Sequence, residues 1–113
     1  MLIKKDEFIN CITSENGDIR NAIATIEKGG LRIALITNRE NKLVGTICDG
    51  DVRRGLLKGL NLDSPIASII QRNFHSANSN VSKKEISRIM EENSISQIPI
   101  LSKDNELIGL EIT

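Results

Sequence analysis

The sequence predicts an α/β (α+β) fold of two pseudo-symmetric halves packed through their sheets. The chain repeats itself at an offset of 64 residues, each copy carries the same order of helix and strand signals, and a copy of this size buries too little surface to be stable alone. The offset places Leu43-Val44-Gly45 on Leu107-Ile108-Gly109, Asn41 on Asn105, Glu40 on Asp104, Arg39 on Lys103 and Ile36 on Ile100. It runs on upstream without a gap, through Glu27 on Glu91, Ile26 on Met90, Ala22 on Ile86 and Arg20 on Lys84, to Asn16 on Asn80.

Asp18 and Ser82 are candidate N-caps, and Ser82 has Glu85 three residues on, the spacing of a capping box. Ile19, Ala22, Ile23 and Ile26, then Ile86, Ile89 and Met90, follow helical spacing. Gly29-Gly30 ends the first helix and Asn93-Ser94 the second. Aliphatic runs at 33–36 and 98–101 read as strands. Polar turns follow at 38–41 and 102–105, and returning strands at 43–47 and 107–112 complete two hairpins. Beyond the first hairpin, Asp49-Gly50-Asp51-Val52-Arg53-Arg54-Gly55-Leu56-Leu57 reads as a short helix with Val52, Leu56 and Leu57 on one face. Pro65 follows Asp63-Ser64, the placement of a first helical turn, and Ile66, Ile69 and Ile70 give that helix an apolar stripe. The expected organisation is a first half at 1–60, a connecting helix at 61–72 and a second half at 73–113.

Composition excludes several function classes. Fifteen Lys plus Arg balance fifteen Asp plus Glu, so the chain has no large basic field for a nucleic-acid backbone. There is no Trp or Tyr and only two Phe, too few for base-stacking platforms, while nineteen Ile make the core aliphatic. No apolar run reaches the ~20 residues that span a bilayer. The N-terminus carries Lys4, Lys5, Asp6 and Glu7 in place of a secretory apolar region, which points to the cytoplasm. Cys11 and Cys48 cannot make a disulfide framework or a four-ligand zinc site and are expected to be reduced and buried. His75 is the single histidine, with nothing in the sequence to orient it as a base. Neither a phosphate-binding Gly-x-x-x-x-Gly-Lys nor a Gly-x-Gly-x-x-Gly is present.

The segment Gly45-Thr46-Ile47-Cys48-Asp49-Gly50-Asp51-Val52-Arg53-Arg54 is similar to the G-x-x-T-x-x-D-hydrophobic-R stretch of CBS domains. Ser96-Gln97-Ile98-Pro99-Ile100 resembles the family's stretch ending in hydrophobic-Pro-Val before its hairpin. With two such halves, nearly the whole chain resembles a tandem CBS-domain pair, or Bateman module. Its wording is similar to modules that precede bacterial sugar-phosphate nucleotidyltransferases, and also to modules beside sugar-phosphate isomerase domains. The chain departs from the family pattern at Cys48, where a threonine is expected and a thiol is a weak hydrogen-bonding substitute. By the offset, the counterpart of Asp51 falls at position 115, beyond Thr113, so the second half is expected to lack its final helix and the chain to be a fragment.

The resemblance implies a ligand site of Asp51, Cys48, Arg53, Gln97 and Pro99, with the Asp51 carboxylate accepting from ribose hydroxyls. The residues alone also allow Asp49 or Asp51 to cap the following helix, and Arg53 and Arg54 either to meet a phosphate or to lie on a solvated face. Gly45 and Gly109 read as close-packing or bulge positions, and Pro99, lacking an amide, as the beginning or edge of a strand. The implied function is regulatory and non-catalytic. An adenine nucleotide (AMP, ADP or ATP) or S-adenosylmethionine would bind and modulate an attached C-terminal catalytic domain, a nucleotidyltransferase. The other reading is a structural dimerisation unit with an empty site. Either way the expected assembly is a homodimer, because aliphatic surface left without its covering helix finds a partner. No nucleic acid, membrane or required cofactor is expected.

Overall fold

The computed structural model describes residues 1–113. The chain divides into two units, one of Ile9–Phe74 and one of Met1–Phe8 together with His75–Thr113. This differs from the expected boundaries, since residues 1–8 join the second half and residues 61–72 belong to the first. No helix is long and apolar enough to cross a membrane.

The Ile9–Phe74 unit holds a three-stranded sheet in the order β2-β3-β4, made of β2 (Ile12–Ser14), β3 (Ala34–Thr37) and β4 (Leu43–Ile47). Between β2 and β3 runs α2 (Ile19–Gly29), preceded by N-cap Asp18 and followed by Gly30 in the left-handed region at φ 69°. Asp18 accepts from the Asn21 amide at 2.8 Å, and Asn21 Oδ1 accepts from the Asp18 amide at 3.2 Å. That reciprocal pair is the capping box of this helix. Its buried face of Ile19, Ala22 and Ile26 packs with Ala34, Ile36, Ile47 and Val52.

After β4 comes α3 (Asp49–Leu57), whose buried residues are Asp51, Val52 and Gly55. The expected apolar face of Val52, Leu56 and Leu57 is corrected here, for Leu57 is 82% exposed and Leu56 41%. At 3.6 residues per turn the three-residue step from Val52 to Gly55 nearly completes a turn and keeps both on the inner side, while the five-residue step to Leu57 overshoots by roughly 140° and turns it outward. The expected connecting helix is corrected too. Only a single 3-10 turn, Ile66–Ser68, follows Pro65. Ile66, Ile69 and Ile70 nonetheless enter the core of this unit, so their apolar spacing reports burial and not an α-helix.

In the other unit the sheet order is β1-β7-β6-β5, made of β1 (Leu2–Lys4), β5 (Ala77–Asn78), β6 (Gln97–Leu101) and β7 (Leu107–Ile112). A short α1 (Lys5–Phe8) follows β1, and α4 (Lys83–Glu92) precedes β6. Ser82 caps α4 by accepting from the Glu85 amide at 3.1 Å. The Glu85 side chain does not return that bond, because Arg88 one turn on takes its carboxylate.

The repeat holds at the level of hydrogen-bond register. Leu35↔Thr46 and Ile36↔Gly45 in one hairpin correspond to Pro99↔Leu110 and Ile100↔Gly109 in the other. The irregularity between Ile36 and Thr37 recurs between Ile100 and Leu101. Asn41 and Asn105 both take positive φ, at 61° and 64°. Flanking strands match as well, since β1 pairs antiparallel to β7 through Ile3↔Leu110, and Gln71 bridges antiparallel to the equivalent Thr46.

Pro99 corrects an expectation and explains an asymmetry. It is neither a strand end nor an edge residue but the third residue of β6, which is flanked on both sides. Thr46 spends its N–H and C=O on Gln71, so Leu35 opposite it directs its own toward β2, where it pairs with Ile12. Pro99, the counterpart of Leu35, has no N–H to offer, and β5 begins pairing one residue later, at Ala77↔Ile100.

Candidate functional site

The site is built at the start of α3. The chain leaves β4 at Ile47, and Cys48 takes the extended N-cap conformation at φ −119° and ψ 174°. Asp51 is then the third helical residue, close enough to reach back. Its Oδ2 accepts from the Cys48 backbone N–H at 2.9 Å. Its Oδ1 accepts from Arg54 Nη2 at 2.9 Å and from Gln71 Nε2 at 2.9 Å. The Asp51 side chain is only 3% exposed, so these partners are what make its burial tolerable. Of the two readings of Asp51 left open by the sequence, the structure shows the capping one, since its carboxylate reaches back to the N-cap amide.

Gln71 reaches the carboxylate because its backbone is tied to β4. Thr46 N–H donates to the Gln71 carbonyl at 3.1 Å, and Gln71 N–H donates to the Thr46 carbonyl at 2.9 Å. The close approach requires Gly45. A Cβ there would lie 2.2 Å from Ile70 Cγ2 and 2.8 Å from the Gln71 carbonyl oxygen. Gly45 thus serves packing, as its sequence position indicates. Asp51, Arg54, Gly55, Lys58, Leu60, Ser68, Ile69 and Gln71 line an open cavity of about 260 Å³.

Of the expected site residues, Asp51 and Cys48 come together, with Cys48 contributing its backbone N–H. Cys48 is exposed, which corrects the expectation that both cysteines are buried; Cys11 is, and burial pushes its thiol pKa up. Arg53 is exposed on α3, and it is Arg54 that meets the carboxylate. Gln97 and Pro99 lie on β6 in the other unit, Gln97 half-buried and Pro99 fully buried. Gln71 escaped sequence reasoning. It lies 20 residues beyond Asp51 and belongs to no local motif, and the repeat hides it because its structural counterpart, Ile3, is displaced from the 64-residue offset.

Residues 11–58 and 66–110 each match the CBS domain. The chain belongs to the CBS-domain family. It is 32% identical over 96 residues to the uncharacterized protein RP505 of Rickettsia prowazekii, covering 85% of this chain and 30% of that protein. It is 24% identical over 92 residues to arabinose 5-phosphate isomerase KdsD of Pseudomonas aeruginosa, covering 80% of this chain and 28% of the isomerase. It therefore spans less than a third of the length of both relatives. Among solved structures, the CBS domains of a transcriptional regulator from Streptococcus pneumoniae superpose with a TM-score of 0.81 at 12% identity, covering 99% of this chain and 88% of that one. The CBS domain protein PAE2072 from Pyrobaculum aerophilum, complexed with AMP, superposes with a TM-score of 0.79 at 20% identity, covering 89% of this chain and 78% of that one. These likenesses establish the mixed α and β fold of a CBS pair.

Proposed function

We propose that this chain is a non-catalytic regulatory module that binds an adenine nucleotide, or a related ligand such as S-adenosylmethionine, and modulates an attached catalytic domain. The carrying observation is the Asp51 carboxylate, held buried at the first turn of α3 with three donors on it. A carboxylate offers about four acceptor positions, so one remains for a ribose hydroxyl. The AMP complex of PAE2072 supports an adenine nucleotide as the ligand class. Binding shifts the attached domain only as far as the ligand prefers one arrangement over the other.

The attached domain is read as a sugar-phosphate enzyme. The sequence wording favours a nucleotidyltransferase, and the likeness to arabinose 5-phosphate isomerase supports sugar phosphate as the substrate class while favouring isomerisation. Calorimetric titration of AMP, ADP, ATP and S-adenosylmethionine tests the sensing role. Heat with one of them supports it, and no heat with any contradicts it.

A second reading, a homodimerising scaffold with an empty site, draws on two observations. Cys48 replaces the family's hydroxyl, and Asp51 is already well partnered. Apolar side chains also reach solvent in each unit, Leu57 at 82% and Leu56 at 41% in one, Leu2 at 56% and Ile108 at 43% in the other. Exposed aliphatic groups of this kind favour association. Sedimentation at high micromolar concentration distinguishes the dimer from a monomer.

A further inference from the structure

We propose that Gln71 is a specificity-determining residue of the Asp51 site, holding an acceptor position in the unliganded protein that a ligand diol must take over. The proposal rests on the nucleotide reading above. A cis-diol brings two O–H donors, and the carboxylate has one position left, on Oδ2. One of the three resident donors therefore has to yield. The Cys48 N–H is backbone at the first turn of α3 and cannot leave without unwinding the cap. Arg54 carries charge, and its ion pair with a carboxylate 3% exposed is the stronger bond. The Gln71 amide is neutral, and its residue is held by backbone bonds to Thr46 that do not depend on the side chain.

Gln71 is thus the donor that gives way. It must present its Nε2 to Asp51, since an ionised carboxylate only accepts. The side chain also borders the cavity of about 260 Å³ beside Asp51, which gives it room to move. Ligands with a vicinal diol recover the displaced bond with two of their own, and ligands with a single hydroxyl need no displacement. Gln71 accordingly tunes both affinity and the preference for ribose over deoxyribose.

The experiment titrates whichever of AMP, ADP, ATP and S-adenosylmethionine binds tightest into the intact chain and into Gln71→Ala and Gln71→Met, by calorimetry. Amide hydrogen exchange at Thr46 without ligand verifies that the β4 edge is retained. Freed of a competing hydrogen bond, both variants should bind roughly 2–10-fold tighter. The matching 2′-deoxy ligand should gain less. A purely supporting role for Gln71 predicts weaker binding, so equal or weaker affinity in both variants overturns the proposal. Absence of binding by any form, or equal binding by Asp51→Asn, overturns the nucleotide reading itself and removes Gln71's role with it.

Discussion

Thr46 and Gln71 exchange two backbone hydrogen bonds, at 3.1 Å and 2.9 Å, and so fasten the segment after the 3-10 turn along the edge of β4. The Gln71 side chain reaches Asp51 because of that seam. Gly45 makes room for it, since a methyl group there would strike the Gln71 carbonyl, which is backbone and cannot rotate away. Gly45→Ala is expected to cost about 1–3 kcal/mol. At the equivalent Gly109 the nearest atom is the flexible end of Leu2 at 3.2 Å, so Gly109→Ala should cost less. Chemical denaturation of the two variants measures the difference.

The N-cap of α3 is a cysteine in N-cap geometry. Serine at that position donates and accepts better and is among the preferred N-cap residues, so Cys48→Ser should stabilise the protein by about 0.5–1 kcal/mol. It also restores a hydroxyl beside Asp51. Thermal unfolding should show a raised midpoint, and calorimetry tighter nucleotide binding.

The two thiols should behave differently. Cys48 is exposed and Cys11 fully buried against Gly29, where desolvation raises its pKa. Thiol labelling of the native protein should modify one cysteine quickly, and the second only on unfolding. Because the folded-state pKa of Cys11 lies above its unfolded value, the neutral thiol contributes stability that is complete below about pH 8.5. That contribution is lost as pH rises further, while the unfolded chain ionises first. Denaturation midpoints measured between pH 7 and 10 should fall more in the wild type than in Cys11→Ala.

An exposed network on α4 gives a further pH test. Arg88 hydrogen-bonds Glu85 and Glu92, and this holds the Glu85 carboxyl below its ordinary pKa. A depressed carboxyl contributes stability above its unfolded pKa and loses it as pH falls through the folded one. Being exposed, the network should matter little in salt. Arg88→Gln should flatten the acidic limb slightly at low ionic strength and leave it unchanged at high.

The duplicated hairpins were legible because aliphatic runs, polar turns and caps recur at one fixed spacing, and the backbone repeats them pair for pair from Leu35↔Thr46 to Pro99↔Leu110. The stretch around Asp51 was legible because one short motif carries it. What could not be read was long-range and outside the repeat. Residues 2–4 find their partners more than a hundred positions away, from Leu2↔Glu111 to Lys4↔Gly109. Ile66, Ile69 and Ile70 carry a helix-like pattern yet pack from a 3-10 turn, because tertiary burial and not local periodicity sets their spacing. Arg54 was preferred over Arg53 by helix geometry, since a three-residue step returns to the face of Asp51 and a two-residue step does not.

The most direct test of the account is calorimetric titration of adenine nucleotides into the wild type and Asp51→Asn side by side. Saturable binding by the wild type, weakened tenfold or more in the variant, is the predicted result. Equal binding by both, or no binding by the wild type, would contradict it.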